Sequence, residues 1–206
     1  LLTQAGAVSG IRRVRFTSPH PKDMRPETFA AMAATPTVCE HLHYPLQSGS
    51  DRVLAAMHRG YTAERYLHRL AEARRSLADL AVSTDIIVGF PGETEADFEL
   101  TLEVAAAAEY DYAYTFIFSP RPGTEAAELT DHYVDPAVAG ERFQRLRVVV
   151  ERSALAKHLA RVGRTEEVLV EGPSKKDPTV VSGRTRQNKL VHFTPSRPLL
   201  VGTYAT

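Results

Sequence analysis

For its first three-quarters the chain alternates short apolar runs of β character with longer stretches at helical spacing. Arg13-Val14-Arg15-Phe16 places polar and apolar side chains on alternate positions and predicts a strand. Pro26 suits the first helical position of a segment reaching about residue 34. Residues 41 to 46 predict a second strand. Thr62 is a good N-cap for a helix whose inner stripe carries Tyr66, Leu67, Leu70, Ala73 and Leu77. The β-branched run VSTDIIV, 82 to 88, predicts a third strand, closed by Gly89-Phe90-Pro91-Gly92. Thr94 and Asp97 have the spacing of a capping pair for a helix over 95 to 109. A fourth strand, YAYTFIF at 112 to 118, stops at Ser119-Pro120-Arg121-Pro122-Gly123, and a long helix follows from about 136 to about 159.

Strands separated by helices predict parallel βαβ units and an α/β fold. After about residue 154 the texture changes. Short apolar runs at 168–170, 180–181, 190–193 and 199–201 are separated by Gly, Pro, Ser, Asn and Lys, the pattern of a small all-β domain. The expected division is 1–153 and 154–206.

Composition adds little and excludes more. The 206 residues hold 25 Lys and Arg against 25 Asp and Glu, so whole-chain charge implies no particular partner. No apolar run approaches the roughly 20 residues of a membrane span, and no signal-peptide pattern occurs, so the expectation is a cytoplasmic protein with no membrane partner. Cys39 is the one cysteine, which rules out a disulfide framework and a multi-cysteine metal site within this sequence. The chain opens on Leu1-Leu2-Thr3, already inside a short helical stretch, and reads as a piece whose preceding part is missing.

In parallel β/α architectures the reactive face lies at the carboxyl ends of the strands. The unusual polar loops all fall there: residues 17–23, the turn Gln47-Ser48-Gly49-Ser50, residues 89–93 and residues 119–124. The Ser-Gly-Ser turn is equally simple capping chemistry, with Ser50 as N-cap. Asp85 within an apolar strand needs a partner or a role. Gly89 and Gly92 suit a tight turn or a close backbone approach. His20 and Lys22 fit either a mouth or a solvated loop. His41 and His43 share one strand face, where a metal pair or two satisfied histidines are both open.

The segments RVRFTSPHPKD, HLHYPLQSGSDRVLAAMHRGYT, STDIIVGFPGETEADF and FIFSPRPGT, in that order, resemble the radical S-adenosylmethionine methylthiotransferases. VLVEGPSKKD followed by GRTRQNKLVHF resembles the TRAM domain of the branch that modifies tRNA. The resemblance covers nearly the whole chain. It implies an α/β fold made of the second half of a radical-SAM partial (β/α) barrel, then a small all-β, OB-like TRAM domain.

The resemblance also implies two 4Fe-4S clusters in the full-length parent. The CxxxCxxC loop and the amino-terminal domain cysteines that would hold them are absent, so no cluster is ligated by this chain and it is expected to be inactive alone. In the family, S-adenosyl-L-methionine is cleaved reductively to a 5′-deoxyadenosyl radical, and carbon 2 of N6-isopentenyladenosine next to the anticodon receives a methylthio group. Sister branches acting on threonylcarbamoyladenosine tRNA or on a ribosomal protein remain alternatives, as does a binding-only RNA module. On the family reading we infer that Gln47 and Ser48 meet the cofactor's ribose or amino-acid part with Gly49 in the same cofactor-binding turn, that Arg59 in the following helix meets its carboxylate, that Asp85 faces the mouth, and that the strand end at Gly89 meets adenine. Catalytic residues are not assigned. From Arg164 onward seven cations face four anions, which suits phosphate contact. Lys175, Lys176, Arg184, Arg186 and Lys189 are the expected tRNA contacts.

Overall fold

The computed structural model describes residues 1–17 and 19–206. Ser18, within the first polar loop, lies outside the described residues. The elements run α1 (Leu2–Gly6), α2 (Pro26–Ala34), β1 (His41–His43), α3 (Asp51–Ala56), α4 (Ala63–Ser76), β2 (Ala81–Val88), α5 (Glu95–Ala108), β3 (Tyr112–Ile117), α6 (Glu125–Glu128) and α7 (Pro136–Leu159), then β4 (Val168–Pro173), β5 (Val181–Arg184), β6 (Leu190–Phe193) and β7 (Tyr204–Ala205). Strands β1, β2 and β3 form a parallel sheet in that order, and β6-β5-β4-β7 form a separate antiparallel sheet. The expected α/β class with a following all-β unit is the architecture found.

Period-two alternation divides the parallel sheet cleanly. Val82, Ile86 and Val88 of β2 pack with Tyr66 and Leu70 of α4, Phe98 and Ala105 of α5 and Leu146 of α7 in one buried cluster. Burying a side chain of this size contributes roughly 1.5–3 kcal/mol. Three tyrosines within it stay hydrogen-bonded: Tyr44 donates to Pro21 O at 3.4 Å, Tyr66 to Tyr44 O at 2.7 Å and Tyr110 to the Tyr66 hydroxyl at 3.0 Å. Burial pushes all three hydroxyls above their ordinary range. The opposite face carries His41, His43, Ser83, Asp85, Tyr112, Tyr114 and Phe116.

Several expectations need correction. Residues 13–16 form no strand, only a parallel bridge from Val14 to Val38, flanked by Arg13 and Arg15 side chains that bond to the second sheet and its turn. The strand expected over 41–46 ends at His43; Pro45 lacks a donor, and pairing resumes only at a Gln47–Ile86 bridge. The division at 153/154 falls inside α7, which runs on to Leu159 before the chain turns into β4. The apolar run at 199–201 forms no strand, and the last strand comes later, at Tyr204–Ala205.

The largest correction concerns the basic residues of the second sheet. Lys189 is buried and its Nζ lies 2.5 Å from Asp111 Oδ1. Arg186 donates to both carboxylate oxygens of Glu40, at 2.7 and 2.8 Å, and to the Val38 and Pro36 carbonyls. These two cations hold the sheets together and are not free for phosphate. Arg184 is half-buried, 3.2 Å from Glu171. Lys175 and Lys176, in the turn after β4, are exposed.

Lys189→Met is expected to leave the buried Asp111 carboxylate without its cation and to destabilise the full-length protein by about 3–5 kcal/mol. Adding Asp111→Asn should recover most of that loss. Urea unfolding midpoints check it, and a loss below about 1 kcal/mol in the single variant contradicts the buried pair.

Candidate functional site

The turn after β1 is fixed from three sides. Tyr61 donates to the Pro45 and Leu46 carbonyls at 3.2 and 3.0 Å, and Leu46 N–H donates to Thr84 Oγ1 at 2.9 Å. Gln47 N–H then donates to Asp85 O and receives Ile87 N–H on its own carbonyl, at 2.8 and 2.9 Å. These bonds hold Gln47 at φ 69°, a conformation that costs a non-glycine residue and commonly marks a functional position.

Gln47 lines a cavity of about 660 Å³ at the carboxyl ends of the strands. Ile87, Phe90, Phe116 and Phe118 give it apolar walls, while Asp85 and Arg59 stand among them as opposite charges. Asp85 Oδ2 lies 3.3 Å from His43 Nε2, and His43 Nδ1 lies 2.9 Å from Ser83 Oγ. Ser83 Oγ also meets His41 Nε2 at 3.1 Å. The two histidines thus share a serine and are not a metal pair. Arg59 does not sit in a helix as expected: α3 ends at Ala56, and Arg59 N–H donates to Leu54 O in the turn beyond. Its Nε is buried without any partner.

Ser48 and Gly49 do not reach the cavity. Ser48 is fully buried, with Oγ 3.3 Å from Thr101 Oγ1 and accepting from Ser50 N–H at 3.2 Å. Gly49 N–H donates to Thr101 Oγ1 at 2.9 Å, and a Cβ there would meet Leu100 O and Thr101 Cα at 2.5 Å. Both residues seat the turn against α5. Gly89, at φ +72°, is not among the residues lining the cavity and packs close to Ala139 of α7. Its N–H donates to Glu93 Oε1 at 3.0 Å, and Arg142 of α7 clamps Glu93 through Oε1 and the carbonyl at 2.9 and 3.1 Å. Burial outweighs these bonds and leaves the Glu93 carboxyl above its ordinary range. Sequence reasoning missed both partners. Glu93 was visible as the acid four residues past Gly89, whereas nothing marked Arg142 among the arginines of its helix.

Residues 2–105, half of the chain, match the Radical SAM superfamily. The chain belongs to that superfamily. A relative from Moorella thermoacetica is 49% identical over 193 residues, covering 94% of this chain and 43% of its own length. Relatives from Acidothermus cellulolyticus and Salinispora arenicola are 51% and 53% identical, over 100% and 94% of this chain and 42% and 39% of their own. All three are named tRNA-2-methylthio-N(6)-dimethylallyladenosine synthase. The chain therefore spans about two-fifths of the length of these relatives. Coproporphyrinogen III oxidase from Escherichia coli, described as a radical SAM enzyme, superposes with a TM-score of 0.56 at 14% identity, over 81% of this chain and 45% of that one, and shares the fold.

Membership of the superfamily implies S-adenosylmethionine and iron–sulfur chemistry. The cavity fits the first: the orphaned Arg59 Nε, the half-buried Asp85 carboxylate and the aromatic walls match a zwitterion joined to a nucleoside. The thiol set does not fit the second, since Cys39 is single and buried. Among the described residues no group of three or more His, Cys, Asp or Glu is placed to hold a metal ion.

Gly49→Ala is expected to force α5 away from the turn, because the obstructing atoms are backbone. A loss of about 1–3 kcal/mol should appear as a lowered melting temperature. Unchanged melting would mean that α5 does not press on the turn.

Proposed function

We propose that this radical SAM chain is the cofactor-side and RNA-binding part of a tRNA-2-methylthio-N(6)-dimethylallyladenosine synthase, a cytoplasmic enzyme that modifies carbon 2 of an isopentenylated adenosine in tRNA. The observation that carries this reading is near-50% identity over 94–100% of the chain, a span that takes in both sheets. A likeness to the superfamily alone would stop at residue 105. The antiparallel sheet is read as the TRAM domain, and the iron–sulfur clusters belong to parts of the parent outside this chain.

Bound S-adenosylmethionine supplies a hydrogen-abstracting equivalent and a methyl group. This chain's residues bind and orient it. Arg59 would pair with its carboxylate through a charge-assisted contact, and its Nε is without a partner in the protein. Asp85, steered by His43, accepts from its amino or ribose donors, with Gln47 beside it. Phe90 and Ile87 cover the adenine and keep water out. Lys175 and Lys176 meet tRNA phosphates. Arg184 assists only to the extent that it leaves Glu171. Arg186 and Lys189 take no part.

In the full-length protein, Arg59→Ala should weaken S-adenosylmethionine binding by roughly ten- to a hundredfold, the worth of one hydrogen-bonded charge. Lysine should restore only part, lacking the planar fork. Equilibrium dialysis with labelled cofactor reads this directly, and an unchanged dissociation constant removes Arg59 from the site.

The RNA reading is tested separately. Lys175→Ala with Lys176→Ala should lower the log–log salt slope of tRNA binding by up to about 0.7–0.9 for each phosphate no longer neutralised. A slope equal to wild type would show that the two lysines are merely solvated.

A further inference from the structure

The polar side chains on the inner face of β1 and β2 admit one consistent placement of their protons. His41, Ser83 and His43 are all buried, so they must satisfy one another. One end of the row is closed: His41 Nδ1 is buried and has no partner. A buried N–H without an acceptor is rarer than a bare acceptor atom, so the proton of this ring sits on Nε2. Burial, with Arg15 and His43 adding to it, pushes the His41 pKa down to about 4, and the ring carries that one proton near neutral pH.

His41 Nε2–H therefore donates to Ser83 Oγ, 3.1 Å away. A hydroxyl has a single proton, and among the described residues Ser83 Oγ has one further neighbour, His43 Nδ1 at 2.9 Å. The hydroxyl donates there, and His43 Nδ1 bears no proton. The proton of His43 is then on Nε2, which faces Asp85 Oδ2 at 3.3 Å, and a carboxylate only accepts. Donors and acceptors alternate without conflict from His41 to Asp85. A second proton on His43 would turn the Ser83 hydroxyl toward His41 and drive the His41 proton onto Nδ1, where nothing receives it.

The charge of the large cavity follows from this order. Among the described residues His43 is the only side chain in ion-pair reach of Asp85, and Arg59 shares the cavity without pairing with it. With His43 neutral, the negative charge of Asp85 is not cancelled. It stands beside Ile87, Phe90 and Phe116, and an ionised group in apolar surroundings calls for a counter-charge.

We propose that Ser83 and His41 are positioning residues that keep His43 singly protonated, so that Asp85 offers its full negative charge to the positive charge of a bound ligand. This use of Asp85 rests on the cofactor reading above, in which the ligand is S-adenosylmethionine and the cations are its sulfonium and ammonium. The hydroxyl is the gate: without it, His43 Nδ1 is free to take a second proton, and the imidazolium would neutralise Asp85.

The test uses the full-length protein. Nitrogen NMR of isotope-labelled histidine near neutral pH is expected to show both rings as neutral Nε2–H tautomers, the signals assigned by their loss in His41→Gln and His43→Gln. A doubly protonated His43, or a proton on Nδ1 of either ring, overturns the relay. Equilibrium dialysis then compares S-adenosylmethionine with 5′-methylthioadenosine, a nucleoside thioether that lacks both positive charges. Ser83→Ala is expected to weaken S-adenosylmethionine roughly three- to tenfold, the worth of about one hydrogen bond, and methylthioadenosine less than about twofold. Ser83→Thr, which keeps the hydroxyl, should recover most of the loss. Equal losses for the two ligands, or a lowered melting temperature with neither affinity changed, overturn the role in charge recognition. Failure of the wild-type protein to bind S-adenosylmethionine would instead overturn the cofactor reading, and the tautomers would still decide the relay.

Discussion

One carboxylate sets the geometry on which the large cavity depends. Asp97 is buried in the first turn of α5, where it accepts Thr94 N–H at 2.8 Å and the Ser50 hydroxyl at 2.6 Å, and it also pairs with Arg52. Thr94 and Asp97 complete the capping box of α5, while Ser50 caps α3 through Val53 N–H. Two helices thus begin at a single charge, and the loops leading into them, 47–50 and 89–94, are fixed relative to each other. Burial by itself would raise the Asp97 carboxyl; hydrogen bonds from Arg52, Ser50 and Thr94 outweigh it and hold the group well below the ordinary carboxylate range. The positive φ of Gln47 and the wall position of Phe90 are tolerable because this junction cannot shift.

The second sheet is joined to the first by charge more than by apolar burial. Arg13 donates to Arg184 O and Glu167, Arg161 forks onto Asp79 at 3.0 Å twice, and Arg186 and Lys189 complete the seam. Arg12 adds a cation–π contact, 3.7 Å above the Tyr204 ring. Such pairs fix register and orientation, and breaking one strands the other. They also explain why an excess of cations after residue 164 overstates the charge available to a nucleic acid.

A row of polar side chains along the inner face of β1 and β2 runs from the second sheet to the large cavity. His41 borders the seam with the second sheet, Asp85 borders the cavity, and Ser83 and His43 join them by contacts of 2.9–3.3 Å. Parallel strands are ordinarily apolar on both faces. Here one face carries polar and aromatic side chains, and the core is built from the other. The buried tyrosines of that core reflect the same constraint, each hydroxyl finding a partner inside.

Local rules in the sequence determined most of the framework. Pro26, Thr62, the Thr94–Asp97 box and Pro136 begin their helices where capping chemistry requires, and β2 and β3 follow their apolar runs to within a residue or so. Each of these signals is complete within a few neighbouring residues. The sequence also carried the resemblance that the family match supports, because Gln47, Arg59 and Asp85 belong to long ordered motifs. Tertiary structure alone decided how side chains were used. Ser48 and Gly49 read as ligand contacts until α5 was seen pressing on them, and Lys189 read as a phosphate contact until Asp111, 78 residues away along the chain, was found beside it. Arg142 had no local mark at all, since its meaning lies in a carboxylate on another element. A charge or hydroxyl looks the same in sequence whether it meets solvent, a ligand or a buried partner; packing between distant segments makes that choice.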